Sequence, residues 1–349
     1  MYNQQDSPAF EEDDAGSPVS LPGVTDFLEW SSMMTTRTVL RASRRSALLA
    51  LFVMLSAVSF KAESSVETNV VFATYSGLAL LMDVYRPATL NGLGIVVING
   101  SGWYRDLGYD ANLLKQSQEF RPATQKLVTA GYTVFVITHR ASPRFHVPDI
   151  IEDVQRATRF IRANASRYGI RADRLGALGG SSGGHLVSML GTLDGKGDPA
   201  ASDPVDRESS KVQCVVAFYP PTDLAKIDTA SGSVAVSLAT GIRPPGPNLT
   251  APSLAVKQYQ QASPVTHVTP DDPPFLLIHG DADKTVPFHQ SEIMDAALQK
   301  AGVAVKLIRV PGAEHGTGSA GWDKIDWAGL TLEWFETRLR QAASSAAAR

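Results

Sequence analysis

Four short runs, GIVVIN (94–99), YTVFVIT (132–138), QCVVAFY (213–219) and FLLIHG (275–280), are apolar at consecutive rather than alternate positions. A strand of that kind has no face to offer to water. It fits a parallel sheet with helices on both sides. LGALG (175–179) and VKLIRV (305–310) extend the series, while NVVFAT (69–74) and ALLMDVY (79–85) lie close enough together to form an antiparallel hairpin. Helical stretches separate the later runs. Residues 149–168 place Ile150, Val154, Ala157, Phe160 and Ile161 on one face, with acids early and arginines late. Residues 289–301 and 325–340 also read as helices. The expected architecture is a doubly wound α/β fold with a mostly parallel sheet of about eight strands. With 44% hydrophobic residues in 349, the chain can fill such a core as one domain.

Two stretches break the rhythm. Residues 192–211 are polar with Gly, Pro and Asp, and 222–262 contain GIRPPGPNLTAP. Both are expected at the sheet end where α/β ligand sites form, and the second could be a small lid or a plain surface insertion.

The N-terminal region follows other rules. Residues 1–32 are acidic and rich in Ser, Pro and Asp, without apolar periodicity. Arg37, Arg41, Arg44 and Arg45 then precede ALLALFVMLSAVSF (47–60), an apolar run of about 14 residues, short for a bilayer helix and suited to a signal-peptide core. Ala57-Val58-Ser59 supplies small residues for cleavage, and Met33-Met34 stands where such a peptide would begin. The chain therefore divides into an extension (1–36), disordered or upstream of the true start, a signal peptide (37–62) and a folded domain (63–349). The alternative for 47–60 is a buried or anchoring helix. Export implies a secreted or periplasmic protein, with no membrane role beyond it. The formal net charge of −3 excludes a strong field for nucleic acid or anionic lipid. Cys214 is alone within an apolar run and reads as core, so no disulfide framework or metal-binding cysteine pair exists.

The chemistry centres on GGSSGGH (179–185), which lies between the strand LGALG and the helical run HLVSMLGTL. Strand, tight turn and helix form the context of a nucleophile elbow, in which a Ser projects from a crowded turn that glycines relieve. G-x-S-x-G alone is weak evidence in a chain with 28 glycines. Ser181 lies between Gly179 and Gly183, and Ser182 between Gly180 and Gly184, so spacing does not choose between them. A serine hydroxyl needs a base, and the base needs a carboxylate to set its tautomer. Of seven histidines, only His289 and His315 follow FLLIHG. His289 begins a helix and reads as solvent-facing or capping. His315, in PGAEHGTG after VKLIRV, is the candidate base. His139, His185 and His279 adjoin strand or elbow ends and read as structural. The loop HGDADKTVP offers Asp281 and Asp283, either of which could simply form the turn. After GIVVIN, the sequence Asn99-Gly100-Ser101-Gly102-Trp103 could present backbone N–H groups to an oxyanion.

These segments together resemble the esterase/lipase branch of the α/β-hydrolases, in particular the acetyl-, feruloyl- and aryl-esterase-like group near hormone-sensitive lipase and kynurenine formamidase. The resemblance runs from LLMDVYRP (80–87) to the C-terminal helix, through NGSGW, RYGIRADRLGALGGSSGGHL, SPVTHVTPDDPPFLLIHGDADKTVP and GAEHG. It implies the α/β-hydrolase fold. The relatives' elbow, G-x-S-A-G-G-H-L, aligns Ser181 with the nucleophile and Ser182 with the following oxyanion donor. HG-x-x-D-x-x-VP aligns the acid with Asp283. One departure stands out: the usual His-Gly-Gly-Gly loop reads Asn99-Gly100-Ser101-Gly102 here, which bears on the loop's hydrogen bonding.

The expectation is a serine hydrolase of carboxylic esters with short acyl groups, small or polysaccharide-linked. Ser181 is the nucleophile, His315 the base and Asp283 its orienting acid, with the N–H groups of Ser101, Gly102 and Ser182 as oxyanion donors. No cofactor or metal is implied. The alternatives are an amidase, formamidase or peptidase on the same fold, and a catalytically silent binding protein.

Overall fold

The computed structural model describes residues 63–108, 111–242 and 254–340. The expected extension (1–36) and signal peptide (37–62), and residues 243–253 of the 222–262 stretch, lie outside the described residues. Eight strands form one sheet: β1 (Ser65–Tyr75), β2 (Leu78–Arg86), β3 (Gly94–Ile98), β4 (Thr133–Ile137), β5 (Leu175–Gly180), β6 (Cys214–Phe218), β7 (Phe275–Gly280) and β8 (Val305–Val310). Their spatial order is β1-β2-β4-β3-β5-β6-β7-β8. β1 and β2 form the expected antiparallel hairpin, β2 joins β4 antiparallel, and all later pairs are parallel.

The consecutive apolar residues divide between two cores, because successive side chains on a strand point to opposite faces. Val96, Ile98, Phe135 and Ile137 enter one core with helices α2 (Val147–Ala163), α3 (Ser182–Thr192) and α6 (His289–Lys300). Ile95, Val97, Val134 and Val136 enter the other with α1 (Arg121–Thr129) and α7 (Trp327–Phe335). Cys214 is fully buried in this second core. The remaining helices, α4 (Ala230–Thr240) and α5 (Leu254–Gln261), belong to the 222–262 stretch.

Residues 192–211 do not lie where expected. They follow α3 and lead into the N-terminal end of β6, the end opposite the strand-to-loop exits. Arg156 on α2 pairs with Asp203 and Asp206, and Arg159 and Arg162 donate to carbonyl oxygens of Glu208 and Ser209. The stretch therefore packs along α2 as structure.

The strand order locates the site. The chain runs from β3 outward to β4, then returns to place β5 on the other flank of β3. Loops leaving adjacent strands in opposite directions open a crevice at the strands' C-terminal ends. The loop after β3 and the elbow after β5 meet there.

Candidate active site

Ser181 joins β5 to α3 with φ 54° and ψ −125°, a conformation that costs a non-glycine residue about 1–3 kcal/mol. Its neighbours make the turn affordable in space. A Cβ on Gly183 would lie 2.0 Å from the Ile98 carbonyl oxygen, and one on Gly179 would lie 2.5 Å from the Gly183 oxygen. The Ser181 N–H donates to the Phe218 carbonyl on β6 at 3.0 Å, and the His185 N–H donates to the Ser181 carbonyl at 2.9 Å. The helix behind the elbow is buried at all eleven positions, so the turn is fixed from both sides.

His315 reaches the elbow from the loop after β8. Its Nε2 is 3.0 Å from Ser181 Oγ, and its Nδ1 is 2.7 Å from Asp283 Oδ2. Asp283 follows β7, with its other oxygen accepting the N–H groups of Thr285 at 2.8 Å and Val286 at 2.9 Å. Burial alone would raise the Asp283 carboxyl. The nearby His279 Nε2–H at 3.4 Å, the hydrogen bond and charge of His315 and the Val286 N–H outweigh it and hold the group well below the ordinary carboxylate range. Asp281 is occupied elsewhere, accepting from Arg309 Nε at 2.9 Å and from the Gly312 N–H at 2.6 Å. The structure thus brings Ser181, His315 and Asp283 into one hydrogen-bonded chain and leaves Ser182 and Asp281 outside it.

His279, His289, His185 and His139 have structural partners. His279 lies between Ser291 Oγ at 2.8 Å and the Val286 carbonyl at 3.0 Å, so its Nε2–H faces the Asp283 loop. His289 contacts the Lys226 carbonyl at 3.2 Å. His185 accepts from Trp103 Nε1 at 3.2 Å and donates to the Ala262 carbonyl at 2.7 Å. Full burial lowers its pKa to about 4, so the ring stays neutral and ties the loop after β3 to α3. His139 is likewise buried and lowered to about 4.

The loop after β3 differs from expectation in one respect. The Ser101 N–H donates to Ser182 Oγ at 2.9 Å. Ser182 is the first residue of α3 and fully buried, so its hydroxyl is held against the loop. The Gly102 and Ser182 N–H groups have no hydrogen-bond partner among the described residues. Asn99, in the place of the usual histidine, donates through Nδ2 to the Leu114 carbonyl at 3.0 Å. Gly102 at φ 63° and Trp103 at φ 56° both adopt left-handed backbone.

Sequence reasoning missed Tyr219 and Glu119. Tyr219 directly follows β6, and its ring lies 4.9 Å from that of His315. Its hydroxyl donates to Glu119 Oε1 and accepts the Thr317 N–H at 3.2 Å, two residues beyond His315. Burial, then the Glu119 charge, pushes its pKa well up, so it remains a donor. The Thr317 hydroxyl also donates to the Glu119 carbonyl at 3.3 Å. The only local signal was a hydroxyl-bearing residue at the site end of an apolar run.

A Ser–imidazole–carboxylate chain beside open N–H donors can generate an alkoxide nucleophile and hold the resulting oxyanion. The model of the BD-FAE family matches residues 82–298. The chain is similar to "Probable carboxylic ester hydrolase LipM" of Mycobacterium tuberculosis, 30% identical over 264 residues, covering 74% of this chain and 58% of that protein. It spans about half the length of the curated relatives it matches. Among solved structures it resembles a truncated carbohydrate esterase from gut microbiota, at 28% identity and a TM-score of 0.62 over 79% of this chain and 98% of that one. It also resembles an acetyl ester-xyloside bifunctional hydrolase from Caldicellulosiruptor lactoaceticus, at 25% identity and a TM-score of 0.65 over 80% and 98%.

Proposed function

The chain belongs to the BD-FAE family, and from that premise we propose that it hydrolyses carboxylic esters through an acyl-enzyme on Ser181. One observation carries the reading: the continuous contact from Ser181 Oγ through His315 to Asp283, at 3.0 and 2.7 Å, on a strained elbow. His315 Nε2 takes the Ser181 proton as Oγ attacks the acyl carbon. Negative charge moves to the carbonyl oxygen, where the Gly102 and Ser182 N–H groups receive it. Collapse breaks the ester C–O bond, and His315 returns the proton to the departing alcohol. Water, deprotonated by His315, then attacks the acyl-enzyme and releases the acid, restoring Ser181. Asp283 holds Nδ1–H throughout, so the imidazole presents Nε2 to the serine.

The names of similar proteins, which include an acetyl ester hydrolase and a carbohydrate esterase, favour short acyl groups on small or polysaccharide-linked esters. Hydrolysis of p-nitrophenyl acetate by the purified protein, abolished in Ser181→Ala, tests the reading. Peptide mapping after fluorophosphonate treatment should place the label on Ser181. Label on Ser182 with Ser181→Ala still active would overturn it. Export rests on Arg37 to Ser59. The mature N-terminus should fall near Phe60, and soluble cytosolic protein retaining residues 1–45 would refute that processing.

A further inference from the structure

Helix α4 contains no charged residue, and it is apolar on two faces. Gly232, Val236 and Ala239 are buried against the domain. On another face Val234 is 60% exposed and Leu238 46% exposed, one helical turn apart. Together with Tyr104 and Ala235 they line an open groove of about 510 Å³ whose other wall is Ser101 and Gly102. The groove thus begins at the backbone donors described above. A Cβ placed on Gly102 would contact Ala235 Cβ at 3.8 Å, and one on neighbouring Gly100 would lie 2.9 Å from Ser181 Cβ. Among the described residues, no charged side chain lines it.

We propose that this groove seats a hydrocarbon chain, alkyl or aryl, attached to the scissile ester. The proposal rests on Ser181 being the nucleophile and narrows the small and polysaccharide-linked esters named above to small esters with an apolar arm. A sugar ring in the same place would lose water from several hydroxyls with few protein partners to replace it, which disfavours a saccharide there. An apolar chain loses nothing polar and covers Val234, Leu238 and the Tyr104 ring. A fully buried methylene raises binding about fourfold, and one left half in water about twofold.

The test uses two ester series on the purified full-length chain: p-nitrophenyl esters from acetate to octanoate, and acetates of alcohols from methyl to hexyl. In one series kcat/KM should rise by about two- to fourfold per methylene before levelling, and the series that rises identifies the arm as acyl or alcohol. The double variant Val234→Ser, Leu238→Ser should flatten that rise. Both positions are exposed, and matching circular dichroism and melting curves check that the variant folds. The proposal is overturned by a rise that the double variant leaves intact, by no rise in either series, or by acetylated xylo-oligosaccharides outpacing every apolar ester. A shift from oligomer to monomer in the variant with an unchanged rise would assign the face to a second copy instead. Fluorophosphonate labelling of Ser181 in the parent protein, read alongside, separates failure of the groove from failure of the nucleophile.

Discussion

Replacing Asp283 by Asn should cost far more activity than the loss of one charge suggests, because the surroundings decide how the amide sits. Asp283 Oδ1 accepts two backbone N–H groups, from Thr285 at 2.8 Å and Val286 at 2.9 Å. An amide nitrogen there would face two donors, so the amide oxygen takes that place and the NH2 group turns to His315. His279 does not reverse the choice, since its Nε2–H is already satisfied by the Val286 carbonyl at 3.0 Å and lies 3.4 Å from Asp283 Oδ2. Facing an NH2 donor at 2.7 Å, His315 Nδ1 must accept. The ring then carries its proton on Nε2, where it points at Ser181 Oγ and cannot remove the serine proton.

The same tautomer change in serine proteases lowers kcat about 10⁴-fold. That corresponds to about 5.4 kcal/mol of activation free energy. The assay is kcat on p-nitrophenyl acetate for the parent, Asp283→Asn and Asp281→Asn. Asp281 binds Arg309 and the Gly312 N–H, not the imidazole, so its variant should lose less than about tenfold, as expected for a turn residue. A loss below tenfold in Asp283→Asn, or the reverse ranking of the two variants, would refute the tautomer reasoning and move the acid elsewhere.

Ser182→Ala keeps the backbone N–H but leaves the Ser101 N–H without its acceptor, and kcat should fall about tenfold, well short of the loss in Ser181→Ala. Gly183→Ala would set a Cβ 2.0 Å from the Ile98 oxygen, backbone that cannot yield, so a sharply lowered melting temperature or no soluble protein is expected. Acid should destabilise the fold through His139 and His185. Both pKa values are lowered to about 4, so the unfolded chain binds more protons below about pH 6.5, and each site removes about 1.4 kcal/mol per pH unit as pH falls toward 4. Denaturant midpoints that stay flat from pH 6.5 to 4 would contradict this. Tyr219→Phe should lower kcat with little change in KM, because it frees Thr317 and the His315 loop without touching the serine.

What could be read from the sequence was what depends on neighbours in the chain. Strands β3, β4, β6 and β7 announced themselves as consecutive apolar runs, because a strand covered on both faces has no position to offer to water, whereas β1, exposed along most of its length, was legible only as the partner of β2 in a hairpin. Helix α1, RPATQKLVT, did not, since its buried contacts are only Ala123, Thr124 and Leu127 and its other positions are polar or small. Helix α4 was hidden by serine, glycine and β-branched residues, poor helix formers that packing overrides. The candidate site divides along the same line. Its loops were placed by strand ends, yet spacing alone left Ser181 level with Ser182 and Asp283 level with Asp281. The resemblance favoured Ser181 and Asp283, and it is contacts across 134 and 32 residues that bring these two, and not their neighbours, to His315.

Ser182 shows why such contacts stay out of reach. Read as a sequence it offers an N–H, which any residue at that place would supply, and alanine stands there in the resembling elbow pattern. In the structure its hydroxyl accepts the Ser101 N–H, 81 residues away, and binds the loop after β3 to the elbow after β5. An alanine could not do so. With Asn99 in place of histidine, that loop is held instead by Asn99 on the Leu114 carbonyl, Trp103 on His185 and Ser101 on Ser182. Two of those three attachments end on α3, the helix that carries the open Ser182 N–H. The Gly102 and Ser182 donors are therefore set relative to each other by side chains, and the extra serine is part of how this chain keeps them aligned.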